Sequence, residues 1–284
     1  MVNPKVGIAV LNWNGLADTL ACLKSLRKIT YKNIGIYIVD NGSKSDVATL
    51  RRQKGITLIE NSRNEGFCKG NNQAIKKALA SGCEYVLLLN NDTEVEPRFL
   101  SKLVAVAESS STIGIVGPKI YYYQSKKLWF AGGFINFWIG NTHHKETESM
   151  KKQYVDYITG CALLVKRNVI DRIGMLDERF FAYYEEVDFA LRARRAGFRA
   201  VYVPSAVIWH KVGAATKRMN HFAIRLNLRN RMLLMRKHAR WYHFLTFIPC
   251  YTTSVILLLG YRTLRGDFKS VQGALQGVYE GITC

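Results

Sequence analysis

Tyr85-Val-Leu-Leu-Leu-Asn-Asn-Asp-Thr-Glu94 changes in one step from apolar to polar residues. A short apolar run halted by Asn and Asp reads as a buried strand with a polar carboxyl end. Pro97 then opens a helical pattern over Pro97–Ala107, with the proline in its first turn. The alternation extends towards the N-terminus. Val6–Leu11 reads as a buried strand, and Leu16–Leu26 as a helix with apolar positions at Leu16, Leu20, Leu23 and Leu26. Ile34–Val39 is a second strand that ends at Asp40-Asn41-Gly42-Ser43. Ile56–Ile59 is a third, and Asn71–Ala80 a helix. This order predicts an α/β fold, a Rossmann-like central sheet flanked by helices. Open sheets of this kind bind ligands at the carboxyl ends of their strands, where these polar clusters fall.

Beyond Ile113–Pro118 the character changes. Trp129–Ile139 is rich in aromatics and glycine, and Val155–Val165 reads as a strand around Gly160. Strands over Ala200–Val203 and Ala206–Trp209 run into His210. We read residues 1–119 as a nucleotide-binding half and 120–212 as an acceptor-facing half of one domain sharing one sheet. Residues 213–284 form a third region. There Phe222, Leu226, Met232, Leu233 and Leu234 interleave with Arg225, Arg229, Arg231 and Arg236, the pattern of a basic amphipathic helix. Phe244–Tyr261 carries no charge, a length at the lower edge of a bilayer span. Pro249 and its hydroxyl residues suit a helix lying in the headgroup plane better, with Trp241, Tyr242 and Phe244 at the interface and arginines on anionic lipid.

Lys and Arg number 41 against 21 Asp and Glu, a net charge of +20. The stretch from Phe189 to Gly266 holds no acid, yet it contains Lys211, Lys217, Arg218 and twelve further cations. A surface of one sign seeks polyanions: nucleic acid, diphosphates or an anionic membrane. The six cysteines (Cys22, Cys68, Cys83, Cys161, Cys250, Cys284) have neither disulfide nor zinc spacing, which favours a reducing compartment. Met1-Val-Asn-Pro-Lys leads straight into a strand, leaving no room for a signal peptide.

The chemistry concentrates in Phe181-Ala-Tyr-Tyr-Glu-Glu-Val-Asp188, where an aromatic ledge leads into Glu185, Glu186 and Asp188 at the start of a helix. Carboxylates beside aromatic faces can take a proton from a bound polyhydroxyl compound. The same acids also complement a helix macrodipole, with Asp188–Arg192 as an i,i+4 pair. At the strand end, Asp92 suits a divalent cation shared with a diphosphate, since Mg²⁺ and Mn²⁺ prefer oxygen ligands. Asn90-Asn91-Asp92-Thr93 equally suits a turn with a helix cap.

Five segments in order resemble the GT-A glycosyltransferases of family 2, an inverting family, and most of all its rhamnosyltransferase-like branch. They are Val10-Leu-Asn-Trp-Asn-Gly15, Val39-Asp-Asn-Gly-Ser43, Asn64-Glu-Gly-Phe-Cys-Lys-Gly-Asn-Asn72, Leu88-Leu-Asn-Asn-Asp-Thr93 and Tyr183-Tyr-Glu-Glu-Val-Asp188 with Leu191-Arg192. The resemblance implies that Asp40 accepts the imide N–H of a uracil or thymine and that Asn12 stands against the nucleoside. It implies that Asn64, Lys69 and Asn71 come from a loop along the base, ribose and phosphates, with Gly66–Gly70 as a turn that admits the nucleotide. Asn90 and Asn91 complete the donor set. Asp92 matches the last acid of the family's D-x-D, with Asn90 standing at the first. His210 matches a histidine that completes the coordination of Mn²⁺ or Mg²⁺. Glu186 matches the catalytic base, a place that Glu185 or Asp188 could also fill. Trp129, Gly132, Gly133, Gly160, Phe181 and Tyr184 are candidates for the acceptor wall.

The expected activity is transfer of rhamnose or a similar sugar from dTDP or UDP to a lipid-linked or cell-envelope glycan, at the cytoplasmic face of the membrane. Two rivals remain: a nucleotide-sugar-binding scaffold, which Asn90 would suit, and a protein that binds nucleic acid or another polyanion. No nucleic-acid-binding signature of known spacing is present. A sugar nucleotidyltransferase would carry a glycine-rich phosphate loop where Asn12-Trp-Asn-Gly15 stands.

Overall fold

The computed structural model describes residues 3–44, 47–149, 151–212 and 220–283. Lys217, Arg218 and Cys284 lie outside them. The chain divides into two units: Met1–Gly133, His144–Phe181 and Glu185–Val212 in the first, and Phe134–His143, Ala182–Tyr184 and Gly213–Cys284 in the second.

In the first unit, β1 (Val6–Asn12), β2 (Ile34–Asn41), β3 (Ile56–Asn61) and β4 (Tyr85–Asn90) are parallel, in the order β3-β2-β1-β4. They are nearly all apolar in β1 and β4 because helices cover the sheet, so neither face meets water. The sheet continues through β11 (Ala162–Lys166), antiparallel to β4, to β6 (Ile113–Tyr122) and to β12 (Arg199–His210), which runs parallel to β6. Three short strands, β5 (Thr93–Val95), β7 (Leu128–Phe130) and β10 (Gln153–Val155), flank β12 and β6. This is the mixed, helix-flanked sheet expected from the sequence.

Helix α1 (Leu16–Leu26) buries Cys22, Leu23 and Leu26, and α4 (Phe99–Glu108) buries Phe99, Leu100, Leu103 and Val104. A four-residue turn, α2 (Ala48–Arg51), precedes β3. Helix α3 (Gly66–Ala80) begins five residues before the sequence reading placed it. Gly66–Gly70 is therefore helix and not a loop. Gly66 makes the turn into the helix at φ 87°, and both glycines also allow close packing: a Cβ on Gly70 would lie 2.5 Å from Leu11 Cδ1, and one on Gly66 2.6 Å from the Phe181 ring.

Two further expectations change. Val155–Val165 is not one strand, because Tyr157–Cys161 leaves the sheet between β10 and β11. The strands at Ala200–Val203 and Ala206–Trp209 are one, β12, with a register shift between Val203 and Val207. Pro204 lies in that shift, where its missing N–H removes no ladder bond. Helix α5 (Arg167–Ile173) follows β11, and α6 (Glu185–Arg195) carries the acidic cluster on its first turn.

The second unit contains α7 (Asn220–His238), α8 (Phe244–Leu264) and α9 (Phe268–Thr283). The first-unit residue Gly133 opens the ribbon strand β8 (Gly133–Asn136), which pairs with β9 (Asn141–His144). Helix α9 was not anticipated. Its Gly273, Gly277 and Gly281 let its backbone approach His221, Arg225 and Arg229 of α7.

Helix α7 carries the arginines that the sequence reading placed on anionic lipid. Leu226, Leu228, Met232, Leu233, Leu234 and Met235 are buried along it. Its arginines are engaged within the unit, Arg225 with Glu280, Arg231 with the carbonyls of Ile139 and Gly140, and Arg236 with those of Gly281 and Ile282. Exposed apolar side chains lie instead on α8 and α9. Trp241–Leu264 is long and apolar enough to cross a membrane. Cys22, Cys68, Cys83 and Cys161 are buried free thiols, whereas Cys250 is exposed.

Candidate active site

Parallel pairing of β1 and β2 sets Asn12 opposite Asp40 at the carboxyl edge of the sheet. Asn12 Nδ2 donates to Asp40 Oδ1 (2.6 Å) and to Ser43 Oγ (3.2 Å). Asn12 Oδ1 accepts from Thr19 Oγ1 (2.8 Å) and the Gly15 N–H (3.3 Å). Its carboxamide is thus fully used inside the protein, and its work is to orient Asp40. Asp40 Oδ2 accepts the Ser43 N–H at 3.1 Å, so each of its oxygens keeps a further lone pair. Burial of this carboxylate is tolerable because donors surround it.

Asn41, the next residue, fastens the start of α3. It donates to Asn64 Oδ1 (2.8 Å) and the Gly66 carbonyl (3.1 Å), and accepts from Asn61 Nδ2 (3.0 Å) and the Glu65 N–H (3.1 Å). Asn64 also accepts the Gly66 N–H at 2.9 Å. Asn71 is buried within α3, donating to the Phe67 carbonyl four residues back. Lys69 pairs with Glu65 at 2.7 Å on the outer side of the helix. Lys69 and Asn71 therefore belong to a helix, and Asn64 to the turn that enters it, rather than to the donor loop expected. Asn41 was quoted in its motif without a role; its place directly after Asp40 was the available signal.

At the end of β4 the Asn90 N–H donates to the Cys161 carbonyl (2.9 Å), which ties this edge to the loop before β11. Asn91 Nδ2 turns back to the Gly15 carbonyl (3.2 Å) and Thr19 Oγ1 (3.0 Å), bracing the turn after β1. Asp92 Oδ1 lies 3.0 Å from His210 Nε2. His210 ends β12 opposite Thr93 of β5, and the Trp129 ring meets its imidazole edge-on with centroids 4.6 Å apart. Trp129 also meets His144 edge-on at 5.1 Å, so its place is beside this pair.

Asp92 and His210 fit a divalent cation in donor chemistry and spacing. They bring one carboxylate oxygen and one imidazole nitrogen together, and neighbouring ligands of an octahedral ion with bonds of about 2.1 Å stand roughly 3 Å apart. No group of three or more His, Cys, Asp or Glu able to hold a metal occurs among the described residues. The remaining ligands would have to come from a bound diphosphate or water.

The antiparallel pairing of β11 with β4 brings Gly160 beside the same edge, two residues before Ala162, which pairs with Leu89. A Cβ on Gly160 would stand 3.5 Å from Glu185 Oε1, an ordinary contact, and a tighter 3.3 Å from the Phe67 ring, which places Gly160 directly beside the acids. Glu185 Oε2 and Glu186 Oε2 are both buried without a protein hydrogen-bond partner. Burial, reinforced by Glu186, holds the Glu185 carboxyl well above the usual range. Burial pushes Glu186 up to about 7, with the amides of Glu186, Gly160 and Val187 pulling it back. Asp188 differs: it is fully buried and bound to Arg192 Nε at 2.8 Å. Arg192 in turn donates to the carbonyls of Ile173 and Met175, so this pair anchors α6.

The remaining acceptor candidates scatter. The Phe181 ring covers Gly66. The Gly132 carbonyl accepts the Lys145 N–H, and Gly133 lies under the Tyr157 ring. Tyr184 belongs to the second unit. Phe181, Tyr183 and Tyr184 all have positive φ (62°, 71° and 70°), immediately before the acidic pair. Such values are rare for bulky residues and cluster at functional sites.

Together the fold and this edge define an α/β protein with its site at the carboxyl ends of the strands: a buried carboxylate framed by amides, an Asp–His pair, and two buried carboxyl groups beside a glycine. The Glycosyl transferase family 2 profile matches residues 7–174, and the chain belongs to that family. It is a hexosyltransferase-type enzyme with rhamnosyltransferase relatives. It is 26% identical over 261 residues to the low-salt glycan biosynthesis hexosyltransferase of Haloferax volcanii, covering 85% of this chain and 81% of that protein. It is 26% identical over 248 residues to the N-acetylglucosaminyl-diphospho-decaprenol L-rhamnosyltransferase of Mycobacterium tuberculosis, covering 78% and 80%. Among solved structures, the mannosyltransferase of Pyrobaculum calidifontis in complex with GDP-Man and Mn²⁺ shares the fold, with a TM-score of 0.64, 15% identity and coverage of 99% and 88%.

Proposed function

We propose that this enzyme transfers rhamnose or a similar hexose, with inversion, from a dTDP- or UDP-sugar to a lipid-linked or cell-envelope glycan. The observation that carries the reading is the Glu185–Glu186 pair, whose two buried Oε2 atoms lack protein partners beside Gly160, at the edge that also holds Asp92 and His210. Glu186 is the base. With its carboxyl pushed up to about 7, it is poised to take a proton from an acceptor hydroxyl near neutral pH. The hydroxyl then displaces the nucleoside diphosphate from the opposite face of the anomeric carbon, so one displacement inverts the centre. Glu185, whose carboxyl burial and the neighbouring Glu186 hold well above the usual range, stands beside the base.

Asp40 receives the imide N–H of the pyrimidine base on a remaining lone pair, with Asn12 fixing its orientation. Asn64, Lys69, Asn71, Asn90 and Asn91 frame the rest of the donor. Asp92 and His210 would hold Mn²⁺ or Mg²⁺, which when bound would supply positive charge to a departing diphosphate. Residues 1–212 act as the catalytic domain, the first 119 on the donor side. The helices after residue 219 attach the enzyme to the cytoplasmic face of a membrane through apolar side chains on α8 and α9, and Trp129 and Gly160, beside the Asp–His pair and the acids, face the acceptor. The relatives support the substrate class, since one is an L-rhamnosyltransferase acting on a decaprenol-linked glycan and another is a dTDP-rhamnosyl transferase of Shigella flexneri.

The test is calorimetric titration with UDP, dTDP, GDP and CDP, with and without Mn²⁺, repeated on Asp92→Ala. Selective, metal-dependent binding of dTDP or UDP that Asp92→Ala removes supports the reading. Absence of nucleotide binding overturns it. Nucleotide binding without turnover in the wild type would favour the scaffold alternative.

A further inference from the structure

We propose that Asn230, on α7, is a positioning residue for the reaction: its carboxamide clamps the strained Ala182–Tyr184 backbone and so sets where α6 begins and how Glu186 is presented. The inference rests on Glu186 as the base. Three of the four residues before Glu185 hold positive φ, and all three are aromatic. Aromatic residues do not stay there unless their surroundings impose it.

Both sides of the segment are held by hydrogen bonds. On one side the Phe181 carbonyl accepts the Cys68 N–H at 3.0 Å. On the other, Asn230 Nδ2 donates one hydrogen to the Ala182 carbonyl (2.7 Å) and the other to the Tyr183 carbonyl (2.8 Å). Asn230 Oδ1 accepts from Arg229 Nε at 2.9 Å, which fixes the orientation of the amide. Asn230 is fully buried, on a helix whose Leu226, Leu234 and Met235 are buried too, so the clamp sits on a rigid support.

The chemistry requires a carboxamide. Two successive carbonyls need two N–H donors from one point; aspartate of the same shape has none. Only Tyr184 separates the clamped carbonyls from Glu185 along the chain. The C-terminal helices thereby have a part in catalysis apart from any membrane.

Asn230→Asp and Asn230→Ala are measured beside Asn227→Ala, an exposed residue of the same helix whose amide bonds only the Ala223 carbonyl. The readouts are dTDP and UDP affinity, kcat, KM and the pH–rate profile. The expected result is a kcat about 10²-fold lower in both Asn230 variants, the size of loss that a small misplacement of catalytic groups brings. The acidic limb of the profile moves, nucleotide affinity stays within about threefold, and Asn227→Ala behaves as wild type. Unchanged kcat and pH profile in Asn230→Asp overturn the proposal. So does a parallel loss of kcat, nucleotide affinity and Tm, which would mark a purely structural residue.

Tyr183→Gly and Tyr183→Val provide the second arm if the Asn230 variants do not fold. Both remove the ring, but glycine adopts φ near 71° freely and valine does not. Activity kept by glycine and lost by valine supports the clamp; equal activity overturns it. Glu186→Gln separates the two readings, because activity surviving that change removes the base assignment whatever Asn230 does.

Discussion

The carboxylate of Asp92 lies 3.0 Å from Nε2 of His210, joining the turn after β4 to the last residue of β12, 118 positions apart in sequence. Both side chains are largely shielded, at 15% and 8% exposure, and His210 Nδ1 has no partner in the protein. A neutral Asn90 stands at the other acid position of the motif, so the protein supplies few negative ligands here.

From this pair we expect Asp92→Asn and His210→Gln each to weaken Mn²⁺-dependent binding of dTDP or UDP by at least roughly 10–100-fold, a loss seen even for outer-shell partners of a metal. Binding measured with EDTA should change little. Calorimetry with and without the cation checks this, and equal losses in the two conditions would show that the pair does not act through a metal.

Glu186→Gln should lower kcat by about 10²–10⁴-fold with nucleotide affinity retained. The wild-type rate should fall as pH drops below about 7, because the base must be deprotonated. Stability runs the other way. A carboxyl whose folded value is raised binds its proton more tightly in the folded state, so its stabilising contribution is complete below about 4.5 and is lost as pH rises through about 7. Glu186→Gln should therefore gain stability relative to wild type as pH rises from 4.5 to 8. Thermal denaturation at the two pH values tests the sign.

The strand ends were legible in the sequence because their signal is local. An apolar run followed by Asp or Asn marks a buried strand and its ligand edge within one window, as at Val39-Asp40 and Leu89-Asn90. Gly66 does make a turn, at φ 87°, but Gly70 misled because a glycine that allows close packing looks the same as one that makes a turn; only the position of Leu11 distinguishes them. The break around Gly160 gave no local signal, because the side chains nearest that glycine, Phe67 and Glu185, are remote from it in sequence. The arginines of α7 read as a lipid-facing stripe, yet their partners, Glu280 and the carbonyls of Gly140 and Ile282, are remote in sequence. Asn230 carried no local signal at all, because its acceptors lie 47 and 48 residues away.

The contact of α9 with α7 gives a paired stability test. A Cβ on Gly277 would stand 2.3 Å from the Arg225 carbonyl oxygen, a backbone atom that cannot move aside without shifting the helix. Gly277→Ala should cost about 1–3 kcal/mol, the usual penalty for overpacking. Gly260 of α8 has open space around it and an ordinary helical φ, so Gly260→Ala should be neutral or stabilise by up to about 1 kcal/mol. Denaturation of both variants under one condition checks the contrast. Equal effects would mean that α9 does not pack on α7 through its glycines.

The side of α9 away from those glycines carries Phe268, Leu275, Tyr279 and Ile282, each more than half exposed, and α8 exposes Leu245, Ile256, Leu257 and Leu264 to a similar degree. So much apolar surface is costly in water, at roughly 25 cal/mol per Å². Since Arg225, Arg231 and Arg236 are engaged within their own unit, attachment should depend more on apolar insertion than on lipid charge. We expect the protein to float with phospholipid vesicles and to remain bound in 0.5 M salt. Leu257→Glu with Leu275→Glu should shift it to the soluble fraction with nucleotide affinity unchanged. Release by salt alone would return the role to the cations, and wild-type protein that stays soluble with both anionic and zwitterionic vesicles would remove the membrane from the proposal.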